Sequence, residues 1–270
     1  MHESVFFNRQ VLPAANALIS AASVAAVYGK GVFTTITVRG AQPFLWEKHW
    51  RRLTANADTL RIDLSELDEK TIKTALAELI EKNKFTSGRA RITFFDESSS
   101  RIWSFESNKK TGFLIMTADL QPTPENLRLT ISPFRVNSAS PLVGVKSCNY
   151  LEKILALDEA KTRGFDEAVQ LNERGTVASG CLANIFWLTE RKLFTPPLSA
   201  GCLAGTTREF LLENAGEFEC AEAEGDLESL RNADAIFLTS AGLNVVQAAE
   251  FDGRIYERKS TVAAEIIDLI

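Results

Sequence analysis

Histidine is nearly missing from this 270-residue chain, with His2 and His49 the only two. That rules out a multi-histidine metal site and leaves a Ser-His-Asp arrangement resting on one candidate. Cysteine is sparse too. Cys148, Cys181, Cys202 and Cys220 are widely spaced without a Cys-x-x-Cys pair, so in a reducing compartment they read as small buried residues. No metal is expected. No apolar run reaches the roughly 18 residues of a membrane span, and no basic segment precedes an apolar one at the N-terminus, so a cytoplasmic protein is expected. The net charge of −5 comes without an Arg-rich arm or stripe, which makes nucleic acid a poor partner. An enzyme so short of catalytic side chains takes its hard chemistry from a cofactor.

What is present looks globular: 45% hydrophobic and 24% charged residues, on a chain long enough for two cores. Residues 4 to 45 read as strands and turns, with β-branched Val32 to Val38 the clearest. Leu53, Ala57 and Leu60 mark one face of a helix over 47–62, and Ser65 is placed to cap a second over 66–83. Strands are expected over 89–95, 101–105 and 112–118. Pro122 and Pro124 mark a linker, dividing the chain into a small N-terminal α/β domain (1–118), a linker (119–125) and a larger C-terminal domain (126–270). Strands and helices arranged in two blocks give an α+β class.

Two stretches in the second half carry chemistry. Pro141 to Lys146 reads as a short apolar strand, and a helix follows from near Asn149 with apolar residues at Leu151, Ile154, Leu155 and Leu157. A lysine at that junction either covers apolar neighbours with its stem or, partly desolvated, serves as a nucleophilic amine. Further on, Gly201-Cys-Leu-Ala-Gly205-Thr206-Thr207 is a glycine loop running into a helix start. It reads as an anion site or as ordinary capping. Arg52, one turn beyond His49, is a second candidate for a phosphate.

Six motifs in order resemble the class IV pyridoxal-phosphate aminotransferase family, which includes branched-chain and D-amino acid aminotransferases and 4-amino-4-deoxychorismate lyase. They are Tyr28-Gly-Lys-Gly-Val-Phe-Thr34, His49-Trp-Arg-Arg52-Leu53, Lys146-Ser-Cys-Asn149, Val177-Ala-Ser-Gly-Cys-Leu-Ala-Asn184-Ile-Phe186, Gly205-Thr-Thr-Arg208 and Phe237-Leu-Thr-Ser240. The resemblance implies a two-domain fold-type IV enzyme similar to D-amino acid aminotransferase, with pyridoxal 5'-phosphate (PLP) in the interdomain cleft, acting on a small-molecule amine as a homodimer. It further implies Lys146 as the Schiff-base lysine and proton shuttle, and Arg52, Thr206, Thr207 and Ser240 around the cofactor phosphate. Tyr150 would lie near the phenolic oxygen, with Ser179 and Asn184 on the cofactor side of the fourth motif.

Three departures bear on the reaction. The family has a glutamate at the position of Ser179, to pair with a protonated pyridine nitrogen. A neutral hydroxyl instead donates to the unprotonated ring, which weakens transamination more than elimination. Lys30 reverses a charge where the family has aspartate. Phe94 or Phe95 occupies the place of the arginine that clamps the substrate carboxylate in D-amino acid enzymes. Thr34, following Phe33, resembles the lyase branch, where it helps handle a proton; aminotransferases more often carry glutamate there. The expected reaction is conversion of 4-amino-4-deoxychorismate to 4-aminobenzoate and pyruvate. Second comes an aminotransferase for an aliphatic amino acid, and third a cofactor-binding protein that has lost catalysis.

Overall fold

The computed structural model describes residues 1–99, 110–122, 124–214, 219–256 and 261–268. The strand expected over 101–105 lies outside the described residues. Two compact units emerge, one made of Met1–Gln121 and Val145–Asn149, the other of Pro122–Gly144 and Tyr150–Ile270. The lysine segment thus counts with the first unit, although the chain on both sides of it belongs to the second.

The first unit contains β1 (Ser4–Phe7), β2 (Gln10–Pro13), α1 (Val24–Tyr28), β3 (Gly31–Arg39), β4 (Gln42–Pro43), α2 (Trp46–Thr59), α3 (Glu69–Asn83), β5 (Gly88–Asp96) and β6 (Thr111–Ala118). Its sheet runs β2-β1-β6-β5-β3-β4, antiparallel throughout. Leu53 and Ala57 of α2 and Ile72, Leu76 and Leu79 of α3 are buried with Ile36, Ile92 and Ile115 of the sheet. Each fully buried Leu or Ile contributes about 1.5–3 kcal/mol. The second helix starts later than the sequence indicates. Its cap is Asp68, whose side chain accepts from Thr71 N, because a carboxylate at that position reaches the open N–H groups of the first turn and Ser65 falls too early. Phe94 and Phe95 are core residues here.

The second unit contains β7 (Leu127–Ile131), α4 (Leu151–Thr162), β8 (Glu167–Leu171), β9 (Val177–Gly180), β10 (Asn184–Thr189), β11 (Lys192–Thr195), α5 (Thr206–Asn214), β12 (Glu219–Glu222), α6 (Leu227–Arg231), β13 (Ala235–Ser240), β14 (Asn244–Phe251), β15 (Arg254–Ile255) and α7 (Thr261–Asp268). The sheet order is β12-β11-β10-β13-β14-β7-β8-β9, with β15 added to β14. Pairing is parallel at β11–β12, β14–β7 and β7–β8. Leu211 of α5 packs with Phe237 and Leu193, which seats the helix that opens at Thr206.

Two expectations are corrected. The run before Lys146 forms turns rather than a strand, with Gly144 in the left-handed region at φ 75°. Helix α4 buries small residues, Ala156 and Ala160, against Ala168 and Cys181. Two of its leucines face outward, Leu151 at 67% and Leu155 at 51% exposed, while Leu157 is partly buried against the alanine cluster. Alanines allow a helix to approach a strand closely, and that contact sets its rotation.

Candidate active site

Within the first unit, Lys146 is held from both sides by backbone pairing. Phe33 N donates to Lys146 O at 2.9 Å, and Cys148 N donates to Gly31 O at 2.8 Å, making an antiparallel bridge between Val32 and Ser147. Val145 packs on the core of this unit. Asn149 closes the segment, its Nδ2 donating to Gly29 O at 3.1 Å. Gly29 has φ 65°, and a Cβ there would lie 2.5 Å from Asn149 Oδ1, so glycine is required on both conformational and steric grounds. This is the physical content of the Lys-x-x-Asn spacing. Lys146 Nζ lies 4.5 Å from the centroid of the Phe33 ring, and the Arg91 guanidinium 3.6 Å from the same ring. Both distances suit cation–π contact.

Thr34, next along β3, faces α2. Its hydroxyl is 2.7 Å from His49 Nδ1 and accepts from Arg52 Nη2 at 3.0 Å. The hydroxyl keeps both its proton and a second lone pair after accepting from Arg52, so it satisfies His49 Nδ1 in either ring tautomer. Burial pushes the His49 pKa well below its ordinary value, and the nearby charges of Arg52 and Lys146 act in the same direction. His49 is thus a site residue that the sequence showed only as part of a motif. Lys30 pairs with Asp96 at the end of β5, 2.9 Å away, so the reversed charge is answered within this unit.

The second unit places a different set. Ser179 on β9 is 3% exposed, and its hydroxyl has no hydrogen-bond partner among the described residues. The turn after it is fixed by Glu167, whose carboxylate accepts from the backbone N–H of Ala168, Cys181 and Leu182 at 3.0, 2.8 and 3.1 Å. Gly180 N then donates to Ala183 O, leading into β10 and Asn184. Asn184 Nδ2 donates to Leu203 O at 2.8 Å. Its Oδ1 lies only 2.0 Å from where a Cβ on Gly205 would be. Asn184 therefore braces the glycine loop in front of α5. The first helical bond of α5 runs from Glu209 N to Gly205 O, so Thr206 and Thr207 form the first turn, at the positive end of the helix dipole. Both threonines are buried. Asn184 pairs with Thr239 across β10 and β13, which brings Ser240 to the same end of the sheet. The Ser240 hydroxyl accepts from Gly242 and Leu243 N. Tyr150 stands just ahead of α4, its carbonyl accepting from Ile154 N.

Gln170 also escaped sequence reasoning. It is one of two polar residues in the buried strand β8, the other being Glu167, sits opposite Ser179 and accepts from Lys153 Nζ at 3.2 Å. A Gln between apolar neighbours in Glu167-Ala-Val-Gln-Leu171 was the available signal. Among the described residues, no three His, Cys, Asp or Glu side chains are grouped to hold a metal.

Comparison with known proteins gives concordant results. A family model for amino-transferase class IV matches residues 31–251. The chain is 28% identical to an aminodeoxychorismate lyase of Bacillus subtilis (strain 168), over 98% of this chain and 92% of the relative. It is 29% identical to a putative branched-chain-amino-acid aminotransferase of Methanocaldococcus jannaschii, over 94% and 90%. Among solved structures it resembles the branched-chain aminotransferase from Thermoproteus uzoniensis with norvaline, with a TM-score of 0.92, 25% identity and coverage of 100% and 94%. The chain belongs to the class IV aminotransferase family and is a PLP-dependent enzyme with the fold of that family.

Proposed function

We propose that this enzyme is a lyase that converts 4-amino-4-deoxychorismate to 4-aminobenzoate and pyruvate. The observation that carries the reading is the buried Ser179 hydroxyl, without a partner among the described residues, at the family position of a carboxylate. The residues present fit the cofactor. Ser179 is an orphaned donor suited to a ring nitrogen, and the first unit offers a guanidinium at Arg52. The second offers a helix N-terminus whose glycine loop has no room for a side chain. Bound PLP supplies a carbonyl that condenses with the substrate amine and a conjugated ring that accepts electrons as a bond to the substrate breaks.

The protein's own residues do the rest. Lys146 is the nucleophilic amine; once released, it takes the proton from the carbon bearing the substrate nitrogen and assists departure of the enolpyruvyl group. Arg52, held in place by Thr34, would bind phosphate oxygens; in the second unit Thr206 and Thr207, with Ser240, are the phosphate-binding candidates. Thr34 takes part in proton handling through His49, its direct partner. Tyr150 is the candidate to hold the phenolic oxygen. Asn184 acts by bracing the loop that carries the threonines. Ser179 donates to the ring nitrogen and does not hold it cationic, which suits elimination because the departing group carries electrons away early.

The test is pyruvate release from 4-amino-4-deoxychorismate by the PLP-loaded protein without any 2-oxo acid. Turnover lost in Lys146→Ala is expected. A cofactor spectrum that shifts with an aliphatic amino acid, and no pyruvate, would replace the lyase with an aminotransferase. That second reading is favoured by the likeness to branched-chain enzymes and by Tyr150. We further infer a cytoplasmic homodimer. The exposed leucines of α4 support the dimer, and no helix among the described residues is long and apolar enough to cross a membrane. Light scattering should give twice the chain mass, and a monomer at micromolar concentration would remove this part.

A further inference from the structure

The strand pair that carries Ser179 contains a second, unused set of polar groups. In the register of β8 and β9, Gln170 stands directly opposite Ser179, so the two side chains share a face with Cβ atoms about 5 Å apart. Both are 3% exposed. Behind Gln170, from α4, comes Lys153, half-buried, its Nζ donating to Gln170 Oε1 at 3.2 Å. With its oxygen engaged by the lysine, the Gln170 amide turns its donor end, not its acceptor, toward other neighbours. A half-buried lysine held by a neutral amide needs a reason to persist. Burial pulls its pKa down, and Cys181, Glu167, Cys202 and Glu152 oppose this. Glu167 does not neutralise it by direct contact, because that carboxylate is engaged by three backbone N–H groups.

We propose that Lys153 and Gln170 are positioning residues that, with Ser179, make a column without a carboxylate which keeps the cofactor ring nitrogen unprotonated. The column offers the nitrogen one hydrogen bond, from Ser179, and no negative charge, and an amine stands behind Gln170, where a second cation is disfavoured. A carboxylate introduced at 179 faces the Gln170 amide and the amine behind it, and both compete with the ring for its charge. Ser179→Glu alone therefore leaves the ring neutral, and a pyridinium forms only when Lys153 is also replaced. The inference rests on the assignment of Ser179 to the ring nitrogen.

The test uses holoenzyme loaded with PLP labelled with nitrogen-15 in the ring, whose chemical shift separates a free pyridine from a pyridinium without reference to turnover. Wild type and Ser179→Glu are expected at the free-pyridine position, and Ser179→Glu/Lys153→Gln at the pyridinium position. A pyridinium already present in Ser179→Glu overturns the part given to Lys153, and one in wild type overturns the column and the Ser179 assignment together. Absence of any bound-cofactor absorbance in wild type would instead strike at the cofactor assignments. Melting of the apo proteins gives an independent readout. Beside Lys153 the new carboxylate is paired, whereas in the double variant it is buried alone, lowering Tm by about 5 °C or more relative to Ser179→Glu. Failure of the double variant alone to fold is the extreme of the same result, and equal losses in both backgrounds overturn the proposal.

Discussion

Replacing Gly205 by alanine tests whether the loop before α5 is braced by Asn184. The new methyl would lie 2.0 Å from Asn184 Oδ1, where ordinary contact starts near 3.4 Å, a shortfall of roughly 1.4 Å. Arg208 Cβ, 3.5 Å away on the other side, leaves the loop little room to retreat. The cheaper relief is rotation of the Asn184 amide, which breaks its 2.8 Å bond to Leu203 O. Asn184 is 5% exposed, so water does not replace that bond, and the unmade pair costs about 1–3 kcal/mol. At about 3 °C per kcal/mol for a unit of this size, Tm falls by about 3–9 °C. The displaced N-terminus of α5 weakens PLP binding by about tenfold or more, since about 1.4 kcal/mol is a factor of ten. Calorimetry of the apo protein and fluorescence titration with PLP measure the two effects. The decisive comparison is a double-mutant cycle. In an Asn184→Ala background the methyl has nothing to strike, and Gly205→Ala should cost less than about 0.5 kcal/mol. Strict additivity of the two substitutions would refute the bracing.

Two shorter tests address other parts of the structure. Asp68→Ala should lower Tm by about 3 °C through loss of the α3 cap, while Ser65→Ala changes it little; the reverse order would restore Ser65 as the cap. His49 has a folded pKa below its unfolded value near 6.5, so the unfolded chain binds the extra proton as pH falls. Its stabilising contribution is complete above about pH 6.5 and drains away below it, by at most about 1.4 kcal/mol per pH unit. Urea midpoints at pH 7.5 and 5.5 should therefore differ less in His49→Gln than in wild type.

The amphipathic repeats of α2 and α3 were readable because their buried faces are made of large residues at helical spacing. The motifs around Lys146 and Gly205 were readable as chemistry, yet their partners were not. Thr34 and His49 are 15 positions apart on different elements, and only the packing of a helix on a sheet brings them together. Helix α4 misled in an instructive way. Leu151, Ile154 and Leu155 carry much of the apolar signal, but Ala156 and Ala160, with Leu157 beside them, make the contact, and a hydrophobic pattern does not say which face a neighbour covers. Strands β11 and β12 and helix α6, at four, four and five residues, are too short to display a period.

The bridge between Val32 and Ser147 bears on the order in which the protein can be made. A nascent chain presents β3 to the cell while the segment that completes its edge, more than a hundred residues later, is still to be translated. The first unit therefore waits for the segment around Lys146 to emerge before its sheet is finished. Cutting the gene at the proline-rich connection would deliver a fragment lacking the five residues that close its fold and include the proposed nucleophile. On that proposal the reactive amine is also a late-arriving structural piece, and a chain stalled before it emerges lacks a finished first unit.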